Sequence, residues 1–350
     1  MSYIIGVGTW LPDLIRHNSA WPVNFGAKTK AEDRTFNDIQ ESEDPIAAAI
    51  TARDLQLEAS DPFLGCNERR VSVDHESTFT EAEACLRALE DAGVDPKDVD
   101  FVFSNAMVPD RISPPSASDV IQRIGATKAF GIGIDVACAS AIVQMQLAHA
   151  YIEAGLAKYI LLTQSHLLTR TMPLTHPASP GLGDGTSAFL MSKERGRGLK
   201  VRGFKYATHG DHYNSVCYVR TDDKPWWQEG GSFRLGTKDP AGCKYLMRET
   251  VCFGAKTIEG ATQDAGVEVK DINTICSVQP RGFIPGAIAE RLGLERKVAV
   301  TTYDRLAHLG VAGPIFNLKQ ARDNGQLGDC VALYAQGLGF ARCAAILTQV

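Results

Sequence analysis

Residues 88–104 read ALEDAGVDPKDVDFVFS, and residues 261–277 read ATQDAGVEVKDINTICS. Aligned without a gap, they share Ala, Asp, Ala, Gly, Val, Lys, Asp and Ser in register. Each reads as the end of an amphipathic helix stopped at Gly93 or Gly266, then a short polar turn, then a buried strand. One such unit is commonplace, and a chance likeness of two ordinary connections is the alternative reading. Two copies with the same loop length predict a duplicated α/β unit, and so a chain built in two halves.

The flanking sequence continues the pattern. Apolar runs predict strands over 130–136, 158–163, 183–191, 199–206, 298–302, 330–335 and 343–347. Helical periodicity falls over 139–154, which Gly155 ends, and over 245–265, 284–292 and 312–324. The opening run from Met1 to Pro12 reads as a first strand running into a turn. Alternating strands and helices imply an α/β layered protein, divided into halves 1–195 and 196–350. Two stretches, 11–70 and 207–243, lack clear periodicity and are expected to be irregular loops that serve as lids or binding surfaces.

Composition removes several function classes. Across 350 residues, 44% are apolar and 22% charged, as in a globular chain with a substantial core. A net charge of −5 argues against a broad nucleic-acid or anionic-membrane surface. No apolar run approaches the roughly 20 residues of a membrane span, and the start carries no secretory leader, so a cytoplasmic location is expected. Nine cysteines stand at scattered positions with no C-x-x-C pair, which points away from a disulfide framework or a zinc site. Gly6-Val7-Gly8 lacks the third glycine of a dinucleotide fingerprint.

Among those cysteines, Cys138 lies where the 130–136 strand meets the 139–154 helix. Helix amides and the positive end of the dipole would favour a thiolate there, and Ala137, Ala139 and Ser140 leave room for a substrate. The same amides can hold the oxyanion of a thioester intermediate. A buried structural cysteine at a tight turn is the other reading of the position.

The stretch 134–171, IDVACASAIVQMQLAHAYIEAGLAKYILLTQSHLLTRT, resembles the active-site segment of the ketoacyl-ACP synthase III (KAS III) family. Gly183-Asp184-Gly185 resembles its Gly-Asp-Gly turn. Thr301-Thr302-Tyr303-Asp304-Arg305 resembles the strand before its second catalytic loop, and Gly337-Leu338-Gly339-Phe340 its C-terminal glycine-rich loop. The resemblance implies a thiolase fold, five-layered α-β-α-β-α with two pseudo-symmetric halves, and an acyl group carried on Cys138. It also implies that no cofactor or metal is permanently bound, with acyl-CoA or acyl-ACP as donor.

The family's triad is Cys, His and Asn. Counting back from Leu292-Gly293 places Val278 at the His position, and the run Asp304-Arg305-Leu306-Ala307-His308 places His308 at the Asn position. Val278 removes half of the pair that would hold a malonyl carbonyl as it becomes an enolate. Acyl transfer to a hydroxyl, amine or thiol needs only a nucleophile, a proton shuttle and an oxyanion hole. The expected enzyme is therefore an acyltransferase of a polyketide-like or fatty-acid-like pathway, with Cys138 and His308 catalytic and backbone amides at Cys138 and at Leu338 and Gly339 stabilising the oxyanion. The alternatives are a decarboxylating ketoacyl synthase and a non-catalytic partner of an active homologue. His308 can also be read as a polar residue filling the Asn space.

His209, in a Thr-His pair like one in the family, is a candidate second base or acceptor-orienting group, or else a loop histidine. Arg170 matches an arginine that contacts coenzyme A in the family, although residues 50–75 hold no tryptophan to stack with it. It can equally be an ordinary exposed arginine. An acidic acyl carrier protein would need a basic patch, for which Arg281, Arg291, Arg296 and Lys297 are candidates. The Pro-rich segment 105–118 resembles the loop that reaches into a partner's acyl tunnel, so Met107 is expected to set acyl length in a homodimer. The acceptor is expected to be a small molecule.

Overall fold

Two helices end on left-handed glycines, Gly93 (φ 67°) and Gly266 (φ 66°), where a side chain would be strained. Each is followed by a single 3₁₀ turn and a strand, so the two copies of the repeated sequence share one local structure. The computed structural model describes residues 1–26, 39–194 and 198–350. The expected boundary between halves at 195/196 lies outside the described residues.

In chain order the strands are β1 (Tyr3–Trp10), β2 (Ile15–His17), β3 (Glu68–Arg70), β4 (Phe101–Ala106), β5 (Phe130–Gly133), β6 (Tyr159–His166), β7 (Gly185–Ser192), β8 (Leu199–Thr208), β9 (Cys217–Arg220), β10 (Phe233–Gly236), β11 (Thr274–Ser277), β12 (Ala299–Val300), β13 (Cys330–Gly337) and β14 (Ala341–Gln349). The helices are α1 (Pro45–Glu58), α2 (Ser77–Ala92), α3 (Ala117–Ile124), α4 (Ser140–Glu153), α5 (Pro240–Ala265), α6 (Ile284–Arg291), α7 (Tyr303–Leu306) and α8 (Gly313–Asp323).

Ten strands join in the order β12-β11-β13-β14-β8-β1-β7-β6-β4-β5. Read outward from the β8–β1 junction, both sides carry the same pairings: antiparallel, antiparallel, parallel, parallel. The repeated segments supply β4 and β11, which hold equivalent places next to the two outer edges. Among the described residues, Tyr3 with Lys200 and Ile4 with Leu199 pair across the junction.

Helices α4 and α8 lie between the two half-sheets, each also touching strands of the opposite half. Their inward residues, including Met145, Ile152, Ile315 and Leu318, form one core with Phe189 and Leu333. Helix α2 covers the outer face of one half-sheet and α5 that of the other. The layers are therefore α-β-α-β-α, the thiolase fold.

The two stretches expected to be irregular are more ordered than predicted. Helix α1 lies inside 11–70, capped by Asp44, whose carboxylate accepts from the Ala47 amide at 3.0 Å. Its apolar residues do not form one clean stripe, because it packs on both α5 and α6. The stretch 207–243 contains the antiparallel β9–β10 hairpin, and α5 starts at Pro240 behind an Asp239 cap, earlier than periodicity placed it.

Candidate active site

The turn between β5 and α4 is closed by one side chain. Ser140 Oγ donates to the Ala137 carbonyl and accepts from the Val136 amide, both at 2.7 Å. Closing it forces Ala137 into left-handed geometry (φ 47°) and turns Cys138 inward toward the end of β13. Gly337 makes that approach possible: a Cβ there would lie 2.5 Å from the Val136 carbonyl oxygen and 3.2 Å from the Cys138 amide.

His308 arrives from the other half. It follows α7 and Ala307, which holds φ 56° and ψ −153°, a region that glycine tolerates far better than alanine. Its amide donates to the Gly181 carbonyl at 3.0 Å, and its carbonyl accepts from the Gly183 amide at 3.2 Å. Gly183 must lack a side chain, since a Cβ would sit 2.0 Å from the Leu306 carbonyl oxygen. Next to it, buried Asp184 accepts from the Ser72 amide and from the Thr169 amide and hydroxyl, locking this turn in place.

Cys138 Sγ and His308 Nε2 lie 3.8 Å apart. Both line a cavity of about 420 Å³ whose wall is mostly apolar, with Leu182, Leu246, Met247 and Ile284 among its residues. Leu338 and Gly339 (φ 94°) line it too.

Burial favours the neutral form of both partners, against the thiolate expected from the helix start. Burial pushes the Cys138 thiol up to about 12, with the Asp135 carboxylate adding to the rise. Burial, and secondly the neighbouring His166, brings His308 down to about 3. Helix α4 begins at Ser140, two residues beyond Cys138, and the backbone hydrogen bond at Cys138 lowers the thiol less than burial raises it. His308 Nδ1 is buried with no hydrogen-bond partner, and the His166 ring stands edge-on with centroids 5.5 Å apart. His166 Nδ1 lies 2.9 Å from the Gly183 carbonyl oxygen and carries its proton there.

With this geometry in view, the chain can be compared with known proteins. Residues 132–210 match the family described as 3-oxoacyl-[acyl-carrier-protein (ACP)] synthase III, and residues 262–349 match its C-terminal domain. Both matched segments make the chain similar to KAS III-like synthases, and together they include Cys138, His308 and strands β6 to β8 and β13 to β14. A β-ketoacyl-[acyl-carrier-protein] synthase III of Chelativorans sp. (strain BNC1) is 28% identical over 313 residues, 85% of this chain and 94% of that one. Among solved structures, the 3-oxoacyl-[acyl-carrier-protein] synthase III of Aquifex aeolicus VF5 superposes with a TM-score of 0.79 at 18% identity, covering 99% of this chain and 100% of that one. The priming β-ketosynthase of the R1128 polyketide pathway gives 0.80 at 21%, covering 100% and 96%. Likeness to these synthases supports acyl transfer or condensation as the general chemistry.

Several other residues singled out in the sequence lie apart from this cavity. The His209 ring stacks on Phe253 (5.3 Å, 29°) outside the cavity lining, and its Nε2 is buried without a partner. His212, three residues on, lines the cavity instead. Arg170 is exposed and donates to the His75 carbonyl at 2.6 Å. Met107 packs against the central core rather than lining the cavity. Val278, at the place of the family's histidine, is buried at the end of β11.

The expected basic patch is largely neutralised. Arg291 pairs with Asp44, Arg296 with Asp54 and Glu290, and Lys297 with Glu295. Arg281 pairs with Glu58 and lines the cavity. Thr250 and Gln336, hydrogen-bonded to each other, also line it, and sequence reasoning missed both. A threonine inside a helix and a glutamine at a strand end carry no local signal. Among the described residues, no helix is long and apolar enough to cross a membrane.

Proposed function

We propose that the chain is an acyltransferase that moves an acyl group from a CoA or ACP thioester through Cys138 to a small-molecule acceptor. The observation that carries this reading is the 3.8 Å contact between Cys138 Sγ and His308 Nε2 in an apolar cavity, with Val278 in place of a second donor. As Sγ attacks the thioester carbonyl, its proton passes to His308 Nε2, and the carrier thiolate leaves and takes that proton. The acyl group then rests on Cys138. In the second half, His308 accepts the proton of the acceptor's O–H, N–H or S–H as that atom attacks, and the leaving Cys138 thiolate recovers it. Backbone amides at Cys138 and Gly339 are assigned to the oxyanion in both halves.

A neutral thiol–imidazole pair suits this exchange, because its burial keeps His308 unprotonated and able to accept at any physiological pH. We assign Met107 to the acyl tunnel of a homodimer joined along the sheet edge at β5, where Phe130 is 65% exposed. Arg170 on the surface suits a CoA or carrier arm outside the cavity. His209 is assigned a role in orienting the acceptor loop. Residues 1–195 and 196–350 are the proposed halves, and a polyketide-like or fatty-acid-like pathway is the proposed setting.

Relatives named as β-ketoacyl synthases favour carbon–carbon bond formation as the competing reading. Product analysis with acyl and malonyl thioesters separates the two. Transfer without carbon dioxide release is expected, and His308→Ala should keep the fold while slowing transfer on the order of a hundredfold or more. Carbon dioxide with a β-keto product would overturn the assignment, and near-normal turnover in the variant would remove His308 from the mechanism.

A further inference from the structure

Arg281 stands in the loop between β11 and α6, and among the described residues lining the cavity it is the one Lys, Arg, Asp or Glu. It pairs with Glu58, at the end of α1, with Nη1 3.3 Å from Oε2. Both side chains are well shielded, at 16% and 17% exposure. That contact is long and single. By comparison, Arg220 holds Asp222 through two nitrogens at 2.8 and 2.6 Å, and Arg53 holds Glu290 at 2.9 and 2.8 Å.

A guanidinium has five N–H donors in a rigid fork and readily bridges two anions. Among the described residues, only Nη1 of Arg281 is engaged in a hydrogen bond. Nε and Nη2 are left to serve the cavity. A cation in a mostly apolar wall favours a negative partner, because its charge is less screened there than in bulk water. Among the described residues, the lining holds no Asp or Glu.

We infer that Arg281 is a specificity residue of this site, which takes a thioester carrying an anionic group into the cavity, bridged by the guanidinium to Glu58. The inference rests on the reading of Cys138 as the acyl-bearing residue. The anion has two possible sources: a carboxylate at the far end of the acyl chain, or the phosphate of the carrier's pantetheine arm.

Binding can be measured without acylation, in Cys138→Ala protein by calorimetry. Two ratios of dissociation constants are needed. Succinyl against butanoyl N-acetylcysteamine thioester varies the carboxylate alone, and butanoyl-phosphopantetheine against butanoyl-pantetheine varies the phosphate alone. The preference for the charged ligand in one of these pairs should be about tenfold or more and should collapse in Arg281→Gln. Arg281→Lys should restore part of it, which separates loss of charge from loss of fold. Collapse of the first ratio identifies the carboxylate, and collapse of the second identifies the phosphate. If both ratios are equal in the parent and the Gln variant, the inference is wrong. An absence of acyl group on Cys138 of the native protein would overturn the acyltransferase reading and leave this binding test standing.

Discussion

Cys138 and His308 meet because two residues beside them accept backbone conformations that side chains resist. Ala137 precedes the thiol with φ 47°, and Ala307 precedes the imidazole with φ 56°. Strain of this kind costs on the order of 1–3 kcal/mol per residue, and here it aims the two reactive atoms into one cavity. The sequence pointed to both residues, Cys138 through its place before a helix and His308 through the Asp304-Arg305 run. The charge state was not legible, because desolvation depends on what folds over the thiol from 200 residues away. A thiol held near 12 reacts only through its small thiolate fraction. Alkylation of Cys138 by iodoacetamide, followed by peptide mass mapping, should therefore quicken about tenfold per pH unit from pH 7 through 9. A rate that levels off by pH 7 would mean a thiolate and would contradict the neutral pair.

Helix α1 shows what pattern reading misses in an element. Asp44 followed by Pro45 is a helix-start signal, yet the run behind it buries Ala47, Ala48, Ile50 and Leu55 against two other helices without one apolar stripe. By contrast, α2 and α5 were readable at their C-terminal ends, where a left-handed glycine is a local requirement. Asp44 does two jobs, capping α1 and accepting from Arg291 Nε at 2.6 Å. Asp44→Ala should cost about 2 kcal/mol in urea unfolding, whereas Asp44→Asn, which keeps a capping oxygen, should cost about half of that. Equal losses in the two variants would show that the ion pair, not the cap, holds the helix start. Because α1 ends at Glu58, whose carboxylate meets Arg281 of the cavity wall, its anchoring also bears on the site.

At the scale of the whole molecule, buried titratable groups pull stability in opposite directions with pH. His166 and His308 are brought down to about 4 and 3 by burial, so the unfolded chain binds their protons first, and stability falls as pH drops below about 6.5. Glu81 is pushed up to about 8 by burial, and the folded chain keeps its proton where the unfolded chain has lost it. Its contribution is full below about pH 4.5 and is lost as pH rises toward 8. Glu81→Gln is neutral throughout, with an oxygen available to the Ser165 hydroxyl that now donates at 2.6 Å. It should reduce the loss of unfolding free energy between pH 5 and 8 by on the order of a few kcal/mol, and an unchanged loss would mean Glu81 is already ionised in the fold. The mirrored strand order about β8 and β1 was foreshadowed by the two seventeen-residue copies, since they became β4 and β11. How the halves bring Cys138 against His308 across the middle layer had no counterpart in local sequence. That meeting is the centre of the functional account, and intact-protein mass spectrometry tests it most directly. After incubation with acyl-CoA and acyl-ACP thioesters, native protein should gain the mass of one acyl group, mapped to the peptide containing Cys138 and absent in Cys138→Ala. No mass gain with any donor, or an acyl group on another cysteine, would contradict it.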